Sequence, residues 1–169
     1  MPQYRSTAYI ALGSNLGDRE QHLRSAIAAL GQLGEVGAVS AFHETAPMGT
    51  VVQPDFLNAA AEMRTNLPPE ELLAGLLRIE QMHGRDRGAV PPKGPRTLDL
   101  DLLSYDDRVL QSPTLTLPHP AMAERRFVLE PLAEIAPGWR HPILGKTAAQ
   151  LLGVLSAAAR DVSVPLQSS

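Results

Sequence analysis

Two aspartates, Asp99 and Asp101, interrupt the leucines of "GPRTLDLDLL" at positions 94–103. Read as a strand, the stretch turns Thr97, Asp99 and Asp101 to one face and Leu98, Leu100 and Leu102 to the other. The aspartate Cα atoms then lie roughly 7 Å apart. Two carboxylates at that spacing repel by about 2 kcal/mol at an effective dielectric near 20, a tension that a hard cation removes and water only screens. Carboxylate and phosphate oxygens form the usual magnesium environment, and two parallel carboxylates suit two ions about 4 Å apart on a polyphosphate. Two harmless aspartates on a water-facing strand would read the same way, and D-x-D alone does not choose between these readings.

The preceding loop adds cations. Arg85, Arg87, Lys93 and Arg96 stand among glycines and prolines against one acid, Asp86. Such a loop is often merely solvated. This one runs directly into the aspartate strand, so positive and negative groups converge, as binding a metal-complexed phosphate chain requires. Phe56 and Asn58 share a strand face, where an aromatic ring beside an amide suits a flat heterocycle with donor and acceptor edges, although an edge-strand contact explains them too. Glu80, on helix evidence alone, reads as a surface residue. His119 in "LPHP" reads as a loop histidine capped by its own backbone, and Arg125 and Arg126 open a helix before Phe127. The "GKT" at 145–147 is not a P-loop: the required first glycine would fall on Arg140, so Thr147 is read as a helix cap.

The elements that must position these residues follow from periodicity. "TAYIALGSN" reads as a buried strand ending in a turn at Gly13, Ser14 and Asn15. A helix capped by Asp18, with Gln21 three residues on, follows as far as Gly31. Residues 36–44 form a weaker strand candidate and Pro47 to Pro54 a loop. "DFLNAAAEMRTN" alternates, with Leu57, Ala59, Ala61 and Met63 inward and a mixed opposite face expected to meet something other than core. "LPPEELLAGLLRIEQMHG" is a helix with Leu72, Leu76 and Ile79 inside, and "TLDLDLLSY" is a cleanly alternating strand. The order is βαββαβ, so the expected fold is α+β with a ferredoxin-like core. Extra C-terminal strands and helices follow: a hairpin in "RVLQSPTLTLPHP", a helix broken near Pro131, and a last helix opened by Thr147 and Gln150.

At 169 residues and 44% hydrophobic, the chain fits one compact domain, 1–169. A net charge of −3 gives no basic field, so nucleic acid is not an expected partner. The absence of cysteine excludes disulfides and thiolate chemistry. No signal-like or membrane-spanning run is visible, so a cytoplasmic protein is expected. No surface stripe demands a partner chain, and a monomer is expected.

"GPRTLDLDLL", with "YIALGSNLGD", "TAPMG…QPDFLNA", "LLRIEQMHGR" and "LPHPAMAERRFVLEPLAEIAP", resembles the 6-hydroxymethyl-7,8-dihydropterin pyrophosphokinases of folate biosynthesis, collinearly from Tyr9 to Pro137. The resemblance implies an ATP-dependent diphosphotransferase that passes pyrophosphate from ATP to the pterin hydroxymethyl group, leaving AMP. By position, it implies that Asp99 and Asp101 hold two Mg2+ ions against the triphosphate. Thr45, Met48, Phe56, Asn58 and Phe127 would form the pterin pocket, with the two phenylalanines sandwiching the ring. Glu80, Arg87, Arg96, Thr116, His119 and Arg125 would line the ATP side, and Arg85 with Arg96 would stabilise charge on the transferring group.

Two positions depart from the family pattern. Lys93 stands where relatives often have tryptophan before "GPR", and Pro120 follows His119 where an aromatic residue is frequent. A magnesium-dependent phosphohydrolase and a non-catalytic ferredoxin-like binding module are the competing readings of the same residues.

Overall fold

A computed structural model describes residues 4–46, 54–83 and 97–157. Its centre is β1 (Ser6–Ser14), which is followed by α1 (Arg19–Leu30), β2 (Glu35–Val39), β3 (His43–Thr45) and β4 (Phe56–Thr65). The chain continues through α2 (Pro69–Met82), β5 (Asp99–Tyr105), β6 (Leu110–Gln111) and β7 (Thr116–Leu117). A 3-10 turn at Met122–Glu124 leads to α3 (Arg126–Ile135). A further helix, α4, spans 148–157.

The main sheet has the order β2-β4-β1-β5, with β3 pairing β4 beyond β2, and all its pairings are antiparallel. The expected hairpin is present as β6 and β7. The fold is thus mixed α and β, built on an antiparallel sheet with four helices among the described residues.

Alternation sends Ala8, Ile10 and Leu12 of β1, Ala59, Ala61 and Met63 of β4, and Leu98, Leu100 and Leu102 of the β5 segment to one face. That face is covered by Leu23, Ala26 and Leu30 of α1 and by Leu72, Leu76 and Ile79 of α2. At about 1.5–3 kcal/mol per buried large apolar side chain, this layer dominates the stability. The opposite face carries a second core, in which Ala60 and Leu103 meet Val128, Leu129 and Leu132 of α3 and Ala148 and Leu151 of α4. The mixed face of β4, expected to meet something other than core, is therefore core at Ala60. The small alanine allows a helix to approach closely.

Several further expectations need correction. The strand expected over 36–44 is two strands. Ser40 still donates its N–H to Ala60 O, but the N–H of Ala41 goes to the Glu134 carboxylate, and the chain leaves the ladder there. Gly13 and Ser14 belong to β1 rather than to a turn. The β5 alternation stops being clean at its end, because the register against β1 shifts between Tyr9 and Ile10. Leu103 is the extra residue of that bulge and turns toward the second core.

Pro131 does not break α3, which continues to Ile135. Proline in a helix interior costs about 3 kcal/mol, and burial of Val128, Leu129, Pro131 and Leu132 together offsets it. The local caps are as expected. Asp18 accepts from Gln21 N–H at 3.1 Å. Thr147 and Gln150 form a reciprocal box, with Gln150 N–H on Thr147 Oγ1 at 3.1 Å and Thr147 N–H on Gln150 Oε1 at 2.9 Å.

Candidate active site

With Leu100 and Leu102 of β5 facing α1 and α2, Asp99 and Asp101 emerge on the opposite face, each half-buried. Their neighbours follow from the register. Asp99 stands opposite Gly13, Gly13 opposite Asn58, and Asn58 opposite His43. In the next row Asp101 stands opposite Ala11, and Ala11 opposite Ala60. Directly opposed residues share a face. The acids at one side and Asn58 at the other are thus about 10 Å apart, two strand spacings, across a floor of Gly13 and Ala11.

Gly13 keeps that floor open. A Cβ there would stand 3.1 Å from Asn58 Oδ1 and 3.8 Å from a Phe56 ring carbon. Asn58 is buried, and its orientation is set by Nδ2 donating to Thr45 Oγ1 at 2.5 Å. Thr45 in turn stands opposite Phe56. An amide, a hydroxyl and an aromatic ring thus meet on one side of the glycine.

The chain ends bordering 47–53 are also tied down. Asn15 Nδ2 donates to Pro54 O at 3.0 Å, and Arg19 donates to Glu44 at 2.8 Å and to Asp55 O at 2.9 Å. Sequence reasoning missed Gly13, Asn15 and Arg19 as site-shaping residues. Their partners lie 25 to 45 positions away, and the only local signal was a glycine closing an apolar run.

Glu80 is buried at 2% exposure, contrary to its reading as a surface residue. Its Oε2 accepts the N–H of Leu100 at 2.7 Å, between the two aspartates along β5. The last turn of α2 therefore supports the acid-bearing strand from its side. Thr116 sits half-buried in β7 opposite Gln111.

His119 lies past the β7 strand, and its N–H donates to Leu103 O at 2.9 Å. As expected of a backbone-capped histidine, its Nδ1 accepts from Ala121 N–H at 3.3 Å, which leaves the ring proton on Nε2. Burial chiefly lowers its pKa; the Asp101 carboxylate raises it and the Arg125 guanidinium lowers it again. Asp101, His119 and Arg125 thus act on one another electrostatically. Arg125 also stacks over the Phe127 ring, 5.7 Å from its centroid, at the start of α3. Met48, Arg85, Arg87, Lys93 and Arg96 lie outside the described residues.

The donor set fits a hard dication. Asp99 and Asp101 offer carboxylate oxygens beside residues too small to fill the space next to them. Among the described residues no group of three or more His, Cys, Asp or Glu could hold a metal ion. Carboxylate oxygens are the ligands a hard divalent cation takes, with its other positions open to phosphate and water.

The family model for 7,8-dihydro-6-hydroxymethylpterin-pyrophosphokinase (HPPK) matches residues 9–137. The chain is 46% identical over 153 residues to the 2-amino-4-hydroxy-6-hydroxymethyldihydropteridine pyrophosphokinase of Synechocystis sp., covering 89% of this chain and 77% of the relative. It is 50% identical over 130 residues to the Bacillus subtilis protein of the same name, covering 76% and 77%. Among solved structures, a wild-type Plasmodium falciparum HPPK-DHPS with pteroate has a similar fold, with a TM-score of 0.72 at 15% identity. The alignment covers 95% of this chain and 44% of that longer one. Collinear identity across both sides of the glycine floor, from the β1 strand to the end of α3, makes the chain a member of the HPPK family.

Proposed function

We infer that this chain transfers the pyrophosphoryl group of ATP to the hydroxymethyl oxygen of 6-hydroxymethyl-7,8-dihydropterin, releasing AMP, a transferase step of folate biosynthesis. Family membership supplies the reaction. The observation that carries its placement here is the pairing of an acid column on β5 with an amide–aromatic column on β3 and β4, separated by Gly13. The span of about 10 Å accommodates a two-ring heterocycle with its one-carbon arm reaching toward the acids.

Asn58 and Thr45 hydrogen-bond the polar edge of the pterin, and Phe56 and Phe127 supply its faces. Met48 completes this side. Asp99 and Asp101 would hold two magnesium ions brought with ATP, which would supply neutralisation of charge on the triphosphate. His119 Nε2–H, Arg125, Thr116 and Arg87 bind the nucleotide, Glu80 supports β5 beneath it, and Arg85 and Arg96 stabilise charge on the transferring group. The pterin hydroxyl oxygen attacks the β-phosphorus and gives up its proton to solvent, the bond from the β-phosphorus to the oxygen bridging to the α-phosphate breaks, and AMP leaves with that oxygen and its electron pair. No protein nucleophile is required, so catalysis consists of alignment and charge stabilisation.

The strand order supports reading the core as a ferredoxin-like βαββαβ unit in which β2 and β3 together make the second strand. Both core clusters share that one sheet, which supports a single pyrophosphokinase domain over 1–169.

The test is incubation with ATP, magnesium and the hydroxymethyl dihydropterin. AMP formation that depends strictly on the pterin is expected. Phosphate release at the same rate without pterin would instead make the protein a phosphohydrolase and reject the transferase.

A further inference from the structure

The strand β3 has three residues, and among the described residues it pairs with β4 alone, through three residue pairs. Side chains on its two faces fasten it. Glu44 turns toward α1 and bonds Arg19 at 2.8 Å. His43, with Thr45, turns to the face shared by Asn58 and α3. There His43 Nε2 meets Glu134 Oε1 at 2.8 Å, and the other oxygen, Oε2, accepts the N–H of Ala41 at 2.6 Å.

One carboxylate of α3 thus grips both the ring of His43 in β3 and the backbone N–H of Ala41 two residues before it. Although Glu134 is exposed, the Ala41 N–H first, and the His43 contact second, hold its carboxyl below the usual range. Glu130, one turn earlier, lies 4.0 Å from His43 Nδ1 and is itself engaged by Arg126. The helix that grips β3 at its C-terminal end carries Phe127 at its start.

We propose that His43 and Glu134 are positioning residues for the pterin pocket: their hydrogen bond locks β3 to α3 and so fixes Thr45 relative to Asn58 and Phe127. The inference rests on the assignment of those three residues to the pterin. Loosening the lock leaves the acid column on β5 untouched. Its cost therefore falls on pterin binding and spares both ATP binding and the transfer step.

Steady-state kinetics of His43→Ala, Glu134→Ala, the double variant and His43→Gln test this, with Asn58→Ala as reference. For each alanine variant the KM for pterin is expected to rise on the order of tenfold, the scale of one charge-assisted hydrogen bond. The KM for ATP and kcat should stay within about twofold. The double variant should lose less than the sum of the two singles, since the His43–Glu134 contact is common to both, while Glu134→Ala also frees the Ala41 N–H. His43→Gln, which retains a side-chain N–H donor, should recover most of the loss.

If Asn58→Ala raises the pterin KM while the His43 and Glu134 variants leave it unchanged, the lock is overturned and the pocket stands. A loss of kcat that tracks a loss of folded protein, with KM unchanged, reduces the pair to fold support and also overturns it. If Asn58→Ala itself leaves the pterin KM unchanged, the pocket assignment fails, and the proposal with it.

Discussion

Asp99 and Asp101 are the half-buried positions of a strand whose other residues, Leu100 and Leu102 to Tyr105, are buried, so removing either acid takes no apolar side chain from the core. Asp99→Ala and Asp101→Ala are each expected to lower turnover by about a hundredfold or more, the scale of losing a charge-stabilising group. Thermal melting should remain close to that of the unchanged protein. Near-normal rates in both variants would reject the metal assignment. That the pair shares one strand face was legible in sequence because alternation is local: each aspartate is placed by residues one and two positions away. Gly13 was not legible, since its meaning depends on Asn58 and Phe56 on a neighbouring strand. Glu80 failed for the same reason, its acceptor role being set by Leu100 on another element.

Local hydrogen bonds made some elements readable and distant ones hid others. Asp18 and Thr147 cap helices through partners three residues on, which a sequence displays directly. The break between β2 and β3 depends on Glu134, more than ninety positions from Ala41, and no local pattern announces it.

The turn entering α4 gives a prediction at this scale. His141 is buried, and its Nδ1 accepts the N–H groups of both Ile143 and Leu144, at 3.2 and 3.1 Å. Burial lowers its pKa from 6.5. The folded state therefore favours the neutral ring while the unfolded chain takes up a proton near pH 6.5. Its contribution is fully present above that pH and is lost as pH falls through the lower folded value. Denaturant unfolding of the wild type and of His141→Ala should differ most at pH 8, with the gap narrowing toward pH 5. A gap independent of pH would contradict this. His83 and His119 are shifted the same way, so the comparison must be between variants and not between pH values alone.

At the scale of the molecule, one sheet serves two cores, and Asp99, Asp101 and Asn58 lie on the face that carries the second of them. The alternation of strands and helices through β5 was legible because each element carries its own periodicity. The second core was not: it is assembled from Ala60, Leu103 and helices far along the chain, and alanine announces no particular face. The separation of cores from acids predicts how metal removal acts. Excess EDTA should abolish pterin-dependent AMP formation while shifting the melting temperature by less than about 3 °C, corresponding to roughly 1 kcal/mol in a chain of this size. A much larger fall would show the ions to be part of the folded structure rather than companions of ATP.

The Glu80 carboxylate on Leu100 N–H has a consequence beyond catalysis. β5 is the outer strand of the sheet among the described residues, and an outer strand with open donors is a template for a strand from another molecule. A buried acid seated on that donor occupies the position an incoming carbonyl would need. The outer edge of β5, already met at Leu103 by the His119 N–H, is thereby guarded at Leu100 against intermolecular strand addition. The same carboxylate thus bears on solubility as well as on the geometry of the active site.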